Sequence, residues 1–293
     1  MRRRDFLAAG GVLALAGCSR SRTTSAAPPA TTAPTSASAA PTTSAAPSPT
    51  PTPAPTAGTP AEIAARSVVP ALCYHQLREF EPDDGAYTRT ITTPPGVFRA
   101  QMQALCDGGR TPITAAALIE HLELGTPLPA KPVLLTFDDG SATHATVALP
   151  VLQELGFPGV FPMTVVLGKE HWLSEDDLRR VDAAGMEIGA HTWDHQRLDR
   201  LPDDQSTTQL DEPRATLGAI LGHPVDLMAY PYGAWAPATL PHVTSAGYRA
   251  AFQLSDPVEA TQPLLTIRRI MPPPTWDGAT FLAHLDSDFG PAA

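Results

Sequence analysis

The run from Pro132 to Gly140, Pro-Val-Leu-Leu-Thr-Phe-Asp-Asp-Gly, constrains this chain more than any other stretch. Val133 to Phe137 are apolar or β-branched in unbroken succession, the pattern of a buried strand. That strand runs directly into two adjacent carboxylates. Placed side by side, two negative charges either raise one pKa or demand a cation.

Strands and helices alternate around it. Strands are expected over 68–75, 133–137, 159–167, 186–190, 225–230, 248–252 and 264–270. Helices are expected over 97–106, 114–124, 142–155, 211–221 and 236–246. A further helix opens at Ser174 as N-cap, with Glu175, Asp176 and Asp177 in its first turn, and ends at Gly185. Such alternation predicts an α/β fold with a parallel sheet. About seven strands suit a closed or nearly closed barrel better than a doubly wound sheet. No GxGxxG follows a strand, which removes a dinucleotide-binding reading.

The folded part is expected to begin near Ala61. From Thr23 to Pro60 every residue except Gly58 is Ala, Pro, Ser or Thr. Without charge or aromatic groups this stretch has nothing to bury, so residues 19–60 read as a disordered tether. Extended as polyproline at roughly 3.1 Å per residue, it reaches on the order of 100 Å. Before it stand Arg3-Arg4-Asp5-Phe6-Leu7, a small apolar run to Gly17, and Cys18. That run is too short to span a bilayer and reads as a signal h-region. The order resembles a twin-arginine signal ending in a lipobox, with residues 1–18 as leader and Cys18 as the lipidated residue. The expected location is the outer face of the cytoplasmic membrane, held by that lipid anchor.

Of the −10 formal charge, the leader through Arg22 contributes +4 from five Arg and one Asp, which leaves −14 on the remainder. A surface that acidic repels phosphate backbones and argues against nucleic acid as a partner. No protein partner is evident. Beyond Cys18 there remain Cys73 and Cys106, either bridged, as export permits, or buried as small apolar thiols. Neither lies in a CxxC.

Three strand ends carry chemistry: Asp138-Asp139, "HTWDH" at 191–195, and "YPYG" at 230–233. In α/β folds such ends share one face, where ligands bind. His191 and His195 at i, i+4 come to one side if the segment turns helically. Two imidazoles and one carboxylate make a three-ligand metal site with a position left for water. Adjacent strand residues point to opposite faces, so the two aspartates divide the work between ligand and base.

These segments resemble the NodB-homology polysaccharide deacetylases, carbohydrate esterase family 4. "TFDDG" resembles their first motif and "HTWDH" their second. The resemblance implies a distorted (β/α)7-type barrel over 61–293, a single catalytic domain. It further implies Asp138 as base, and Asp139, His191 and His195 as ligands of one divalent ion, zinc before cobalt, nickel, iron or manganese. "VVPALCYHQL" and "PLPAKPVLLTFDDG" resemble the branch acting on poly-β-1,6-N-acetylglucosamine. Peptidoglycan, chitin oligomers and O-acetyl xylan stand as alternative substrates, and a non-catalytic polysaccharide-binding lipoprotein as the alternative of another class. In the third motif Ala229 replaces the usual arginine, and the Tyr232 backbone N–H is expected to face the oxyanion. Arg269 is the candidate to orient Asp138 instead, or else caps the barrel floor. The late histidine that serves as general acid has no clear counterpart; His284 is a poor substitute. His75, Trp193, Tyr230 and Trp235 are candidate substrate contacts.

Overall fold

A computed structural model of the chain describes residues 56–163 and 170–289. The leader, Cys18 and the tether to residue 55 lie outside the described residues. Seven strands are present among the described residues: β1 (Ala71–Tyr74), β2 (Thr111–Ile113), β3 (Pro132–Phe137), β4 (Val160–Met163), β5 (Glu187–Ala190), β6 (Leu227–Ala229) and β7 (Ala250–Phe252). Helices intervene as α1 (Pro60–Arg66), α2 (Ala86–Thr90), α3 (Pro95–Asp107), α4 (Ala115–Leu124), α5 (Leu149–Leu155), α6 (Glu175–Ala183), α7 (Glu212–Leu221), α8 (Leu240–Ser245) and α9 (Gly278–Ser287). None of these is long and apolar enough to cross a membrane.

All pairings in the sheet are parallel, in the order β1-β3-β4-β5-β6-β7, with β2 on the first half of β3. The strand expected over 264–270 does not form as such. Pro263–Thr266 is a short 3-10 turn, because proline at its head fixes φ and lacks an N–H for a ladder. After that turn the chain bridges Ile267 to Phe252 and Ile270 to Leu72. Hydrogen bonds from Gln253 N to Ile267 O (2.9 Å) and from Cys73 N to Ile270 O (2.8 Å) thereby join the last strand to the first. The result is the distorted barrel.

Two apolar sets follow from the period of two along each strand. Leu72, Leu135, Phe137, Phe161, Met228 and Ala251 pack outward against the helices. Ala71, Leu134, Val160, Ala229, Ala250, Phe252 and Ile267 form the interior, with Ile63 of α1 and Leu118, Ile119 and Leu122 of α4 in the same cluster. Cys73, Thr136, Asp138 and Arg269 share the parity of the interior set. This is why an arginine on the closing segment reaches an aspartate beyond β3.

Three local departures have physical causes. The helix expected over 142–155 begins with a π turn at His144–Ala148, and the one over 211–221 is preceded by another at Thr207–Asp211. Pro150 and Pro213 stand just after these turns, where the ring removes an i→i−4 bond and crowds the carbonyl four residues back. The domain also starts slightly earlier than Ala61. Thr59 caps α1 in a capping box with Glu62, and Gly58 N donates to Glu123 O at 2.7 Å.

Candidate active site

Asp138 continues β3 and donates its N–H to Tyr74 O (2.8 Å), so its side chain stays on the interior face. Arg269, wholly buried, grips it with two bonds: Nη1 to Oδ1 and Nη2 to Oδ2, both 2.6 Å. Thr136 Oγ1 accepts from Nη1 (2.7 Å) and Gln253 O from Nε (3.1 Å), which fix the guanidinium. Burial pushes the Asp138 pKa up, but Arg269 and then His191 outweigh it and hold the carboxyl at about 2. Arg269 therefore lies beside Asp138 and not on the barrel floor.

Asp139 breaks the strand. Its φ of 72° and that of Gly140, 75°, are left-handed, and the turn brings its carboxylate to His191 and His195. Oδ1 lies 3.3 Å from His191 Nε2 and 3.2 Å from His195 Nε2. The opposite directions expected from strand alternation thus arise from a backbone reversal. Likewise, 191–195 does not turn helically: Thr192 (φ 63°) and His195 (φ 66°) are left-handed, and this loop sets the two rings 5.0 Å apart.

The donor set fits a divalent ion. His191 Nδ1 bonds Ala229 O at 2.8 Å and must carry the hydrogen there, leaving the Nε2 lone pair toward Asp139. Asp139 Oδ1 is buried and receives no hydrogen bond of acceptable geometry. Ligands 2.0–2.2 Å from one tetrahedral ion stand about 3.3 Å apart, the spacing found here between Asp139 and each imidazole.

The turn after β6 places Tyr232 at φ 61° and Gly233 at φ 66°. A Cβ on Gly233 would stand 2.9 Å from Leu254, so only glycine fits. Tyr232 is 49% exposed, and its ring lies 4.6 Å from that of His195. Its N–H donates to no acceptor among the described residues. His75 follows β1 and, with Cys73 and Asp138, offers ligand atoms within 4.8 Å of one another. Burial lowers its pKa, partly offset by Asp139 and Asp138.

Other candidates fall elsewhere. Tyr230 is fully buried and donates its hydroxyl to Leu265 O (2.9 Å), so it supports the fold and cannot touch substrate. Trp235 is half-buried and packs against the outer core. Trp193 is half-buried, its backbone N–H bonded to Gln209. His284 stacks on Trp276 at 3.9 Å and bonds Asp288. His144 is fully buried, its Nε2 on His75 O at 2.6 Å, and burial lowers its pKa to about 4. Cys73 is a free, buried thiol, so the Cys73–Cys106 bridge does not form. Sequence reasoning passed over Thr136, whose parity with Asp138 was the available signal.

A buried carboxylate held by arginine, beside a carboxylate and two imidazoles at strand ends of a parallel barrel, defines a hydrolase site. Residues 125–251 match the polysaccharide deacetylase family model. The chain carries a polysaccharide deacetylase domain of the NodB-homology type, carbohydrate esterase family 4. YxkH of Bacillus subtilis (strain 168), which bears the same family name, is 25% identical over 222 residues, 75% of this chain and 76% of that one. The poly-beta-1,6-N-acetyl-D-glucosamine N-deacetylase of Escherichia coli K12 is 26% identical over 140 residues, 42% of this chain but 20% of its own length. A chitin deacetylase of Pestalotiopsis sp is 32% identical over 118 residues, 39% of this chain and 38% of that protein. The structure of the Streptococcus pyogenes deacetylase PplD matches with a TM-score of 0.67 at 23% identity, covering 80% of this chain and 100% of that one, a likeness of fold.

Proposed function

We propose that this protein removes N-acetyl groups from an extracellular N-acetylglucosamine polysaccharide by hydrolysis, releasing acetate and leaving a free amine. The observation that carries this reading is the Arg269-held Asp138 set beside Asp139, His191 and His195. Those last three residues would hold the divalent ion, zinc being the best fit to two imidazoles and a carboxylate. Bound there, the ion would polarise the acetyl carbonyl and make water more acidic.

The chain's own residues supply the rest. Asp138, kept ionised by Arg269, accepts the proton of the attacking water. The Tyr232 N–H donates to the oxygen that gains charge as the carbonyl becomes tetrahedral. His75, facing Asp138 from β1, is the group placed to protonate the departing amine, the role for which the sequence offers no late histidine. The C–N bond then breaks, and the water's oxygen remains in acetate.

Poly-β-1,6-N-acetylglucosamine is the favoured substrate, supported by the segments at 68–77 and 127–140 and by the E. coli relative. The chitin deacetylase, at higher identity over a shorter span, supports a β-1,4-linked chain as the second reading. Acetate release from β-1,6 and β-1,4 oligomers and from peptidoglycan tests this, with chelator and Asp138→Asn controls. Release from the β-1,6 oligomer, abolished by both controls, is expected. No release from any of them by metal-loaded protein would leave O-acetyl substrates or a binding role.

The same reading places the protein outside the cytoplasmic membrane, anchored through Cys18 on the 19–60 tether. A Cys18→Ala chain is expected to leave the membrane fraction for the medium; unchanged membrane retention would sink the lipid anchor.

A further inference from the structure

Beside the ligand triad, β1 and β3 bring together a second set of donors. Cys73 and His75 are two residues apart, so both project to one face of β1 and its continuation. Cys73 stands in register with Thr136, and Asp138, two residues beyond Thr136, takes the same interior face. Cys73 Sγ is 3.9 Å from His75 Nδ1. One ligand atom from each of Cys73, His75 and Asp138 lies within 4.8 Å of the others. A thiol, an imidazole and a carboxylate are the residue types that hold zinc.

Arg269 does not use up Asp138. The guanidinium takes one position on each carboxylate oxygen, and a carboxylate offers about four lone-pair sites. His75 is only half-buried and gives the set its opening, whereas Cys73 is 1% exposed.

Two properties separate this set from the triad. It contains sulfur, which favours zinc over magnesium or manganese. It is also less ready for an ion. Donors of one tetrahedral zinc stand about 3.3–3.7 Å apart when one is sulfur, so His75 has to draw in. The thiol, whose pKa burial raises, has to give up its proton. Arg269, beside Asp138, repels any cation placed there. All three lower the affinity, so this set fills after the triad.

We propose that Cys73, His75 and Asp138 form a second, weaker site for a thiophilic divalent ion, and that filling it inhibits the enzyme. As the metal–sulfur bond forms, the S–H bond breaks and its proton passes to the buffer. Lone pairs of Asp138 and His75 are then engaged, and neither can serve the attacking water or the departing amine. The first equivalent of zinc activates and an excess inhibits. The inhibition rests on the deacetylase reading above; the binding does not.

The test is a metal titration of the full chain, first stripped by chelator, in the wild type and in Cys73→Ala and Cys73→Ser. Equilibrium dialysis against excess zinc is expected to give about two equivalents in the wild type and about one in either variant. Cobalt(II) serves as a spectroscopic probe. Its sulfur-to-metal charge-transfer absorption is expected with the second equivalent in the wild type and in neither variant. Acetate release by the wild type is expected to rise through the first equivalent of zinc. It then falls by about tenfold or more in excess, since positioned acid–base groups contribute at least that much. Cys73→Ala, with the triad intact, is expected to keep its maximal rate in the same excess. A variant that merely fails to fold would lose the first equivalent as well, and Cys73→Ser, which keeps the buried volume, then decides. A single equivalent in the wild type, no cobalt–sulfur band, or equal inhibition in both variants would each overturn the proposal. Should the one-equivalent protein release no acetate from any substrate, the deacetylase reading fails. Metal content and the cobalt band still decide the second site.

Discussion

Asp138 and Asp139 are neighbours in sequence and opposites in surroundings. Asp138 sits inside the barrel with both oxygens engaged by Arg269. Asp139 sits at the mouth with one buried oxygen unbonded and two imidazole nitrogens facing it. Both are ionised, but the first by a cation the chain provides and the second by an arrangement that waits for one from outside. The charge on Asp138 is thus independent of metal supply, and that on Asp139 is matched only when metal is bound. One residue of left-handed backbone separates the two environments.

The most severe way to break this contrast is to neutralise each carboxyl in turn. Asp139→Asn is expected to lose the metal and all activity, with metal content near zero after dialysis and elemental analysis. Asp138→Asn is expected to keep about one equivalent of metal and to lose about 10²–10⁴ in kcat, the usual contribution of a positioned base. Metal retained by Asp139→Asn, or lost by Asp138→Asn, would show that the roles are not divided in this way.

How far the contrast was legible in sequence depends on which force sets each part. The strand under Asp138 is an apolar run, and the helix at Ser174 carries its own capping box, so local patterning is enough for both. The ligand triad was legible as residue types at strand ends. Its construction was not, because a helical i, i+4 turn and the observed left-handed turn place the same two histidines together. Only tertiary contacts choose between them. The pairing of Arg269 with Asp138 spans 131 residues and depends on shared parity across a barrel seam held by single bridges, too short to read as a strand. Tyr230 in the third motif misled, since nearness in sequence to Pro231 says nothing of which face a side chain takes.

A gentler intervention sharpens the same comparison by removing the cation and keeping both carboxyls. Arg269→Met retains volume but leaves Asp138 buried and uncompensated, which costs about 3–5 kcal/mol when one partner of a buried pair is lost. The pH dependence separates this from a simple packing defect. In the wild type the Asp138 pKa is lowered to about 2. Its contribution to stability is therefore complete above the unfolded value of about 3.9 and is lost only as pH falls toward 2. Without Arg269, burial is the dominant influence and raises the pKa above the unfolded value, so the sign reverses: the buried charge is a penalty at neutral pH that protonation relieves. Urea unfolding at pH 7 and near pH 4.5 is expected to show the wild-type advantage largest at pH 7 and shrinking at the lower pH. The acid limb of the activity profile should move upward as Asp138 takes a proton more readily. A destabilisation equal at both pH values, with an unmoved acid limb, would mean that Arg269 serves Asp138 by packing alone.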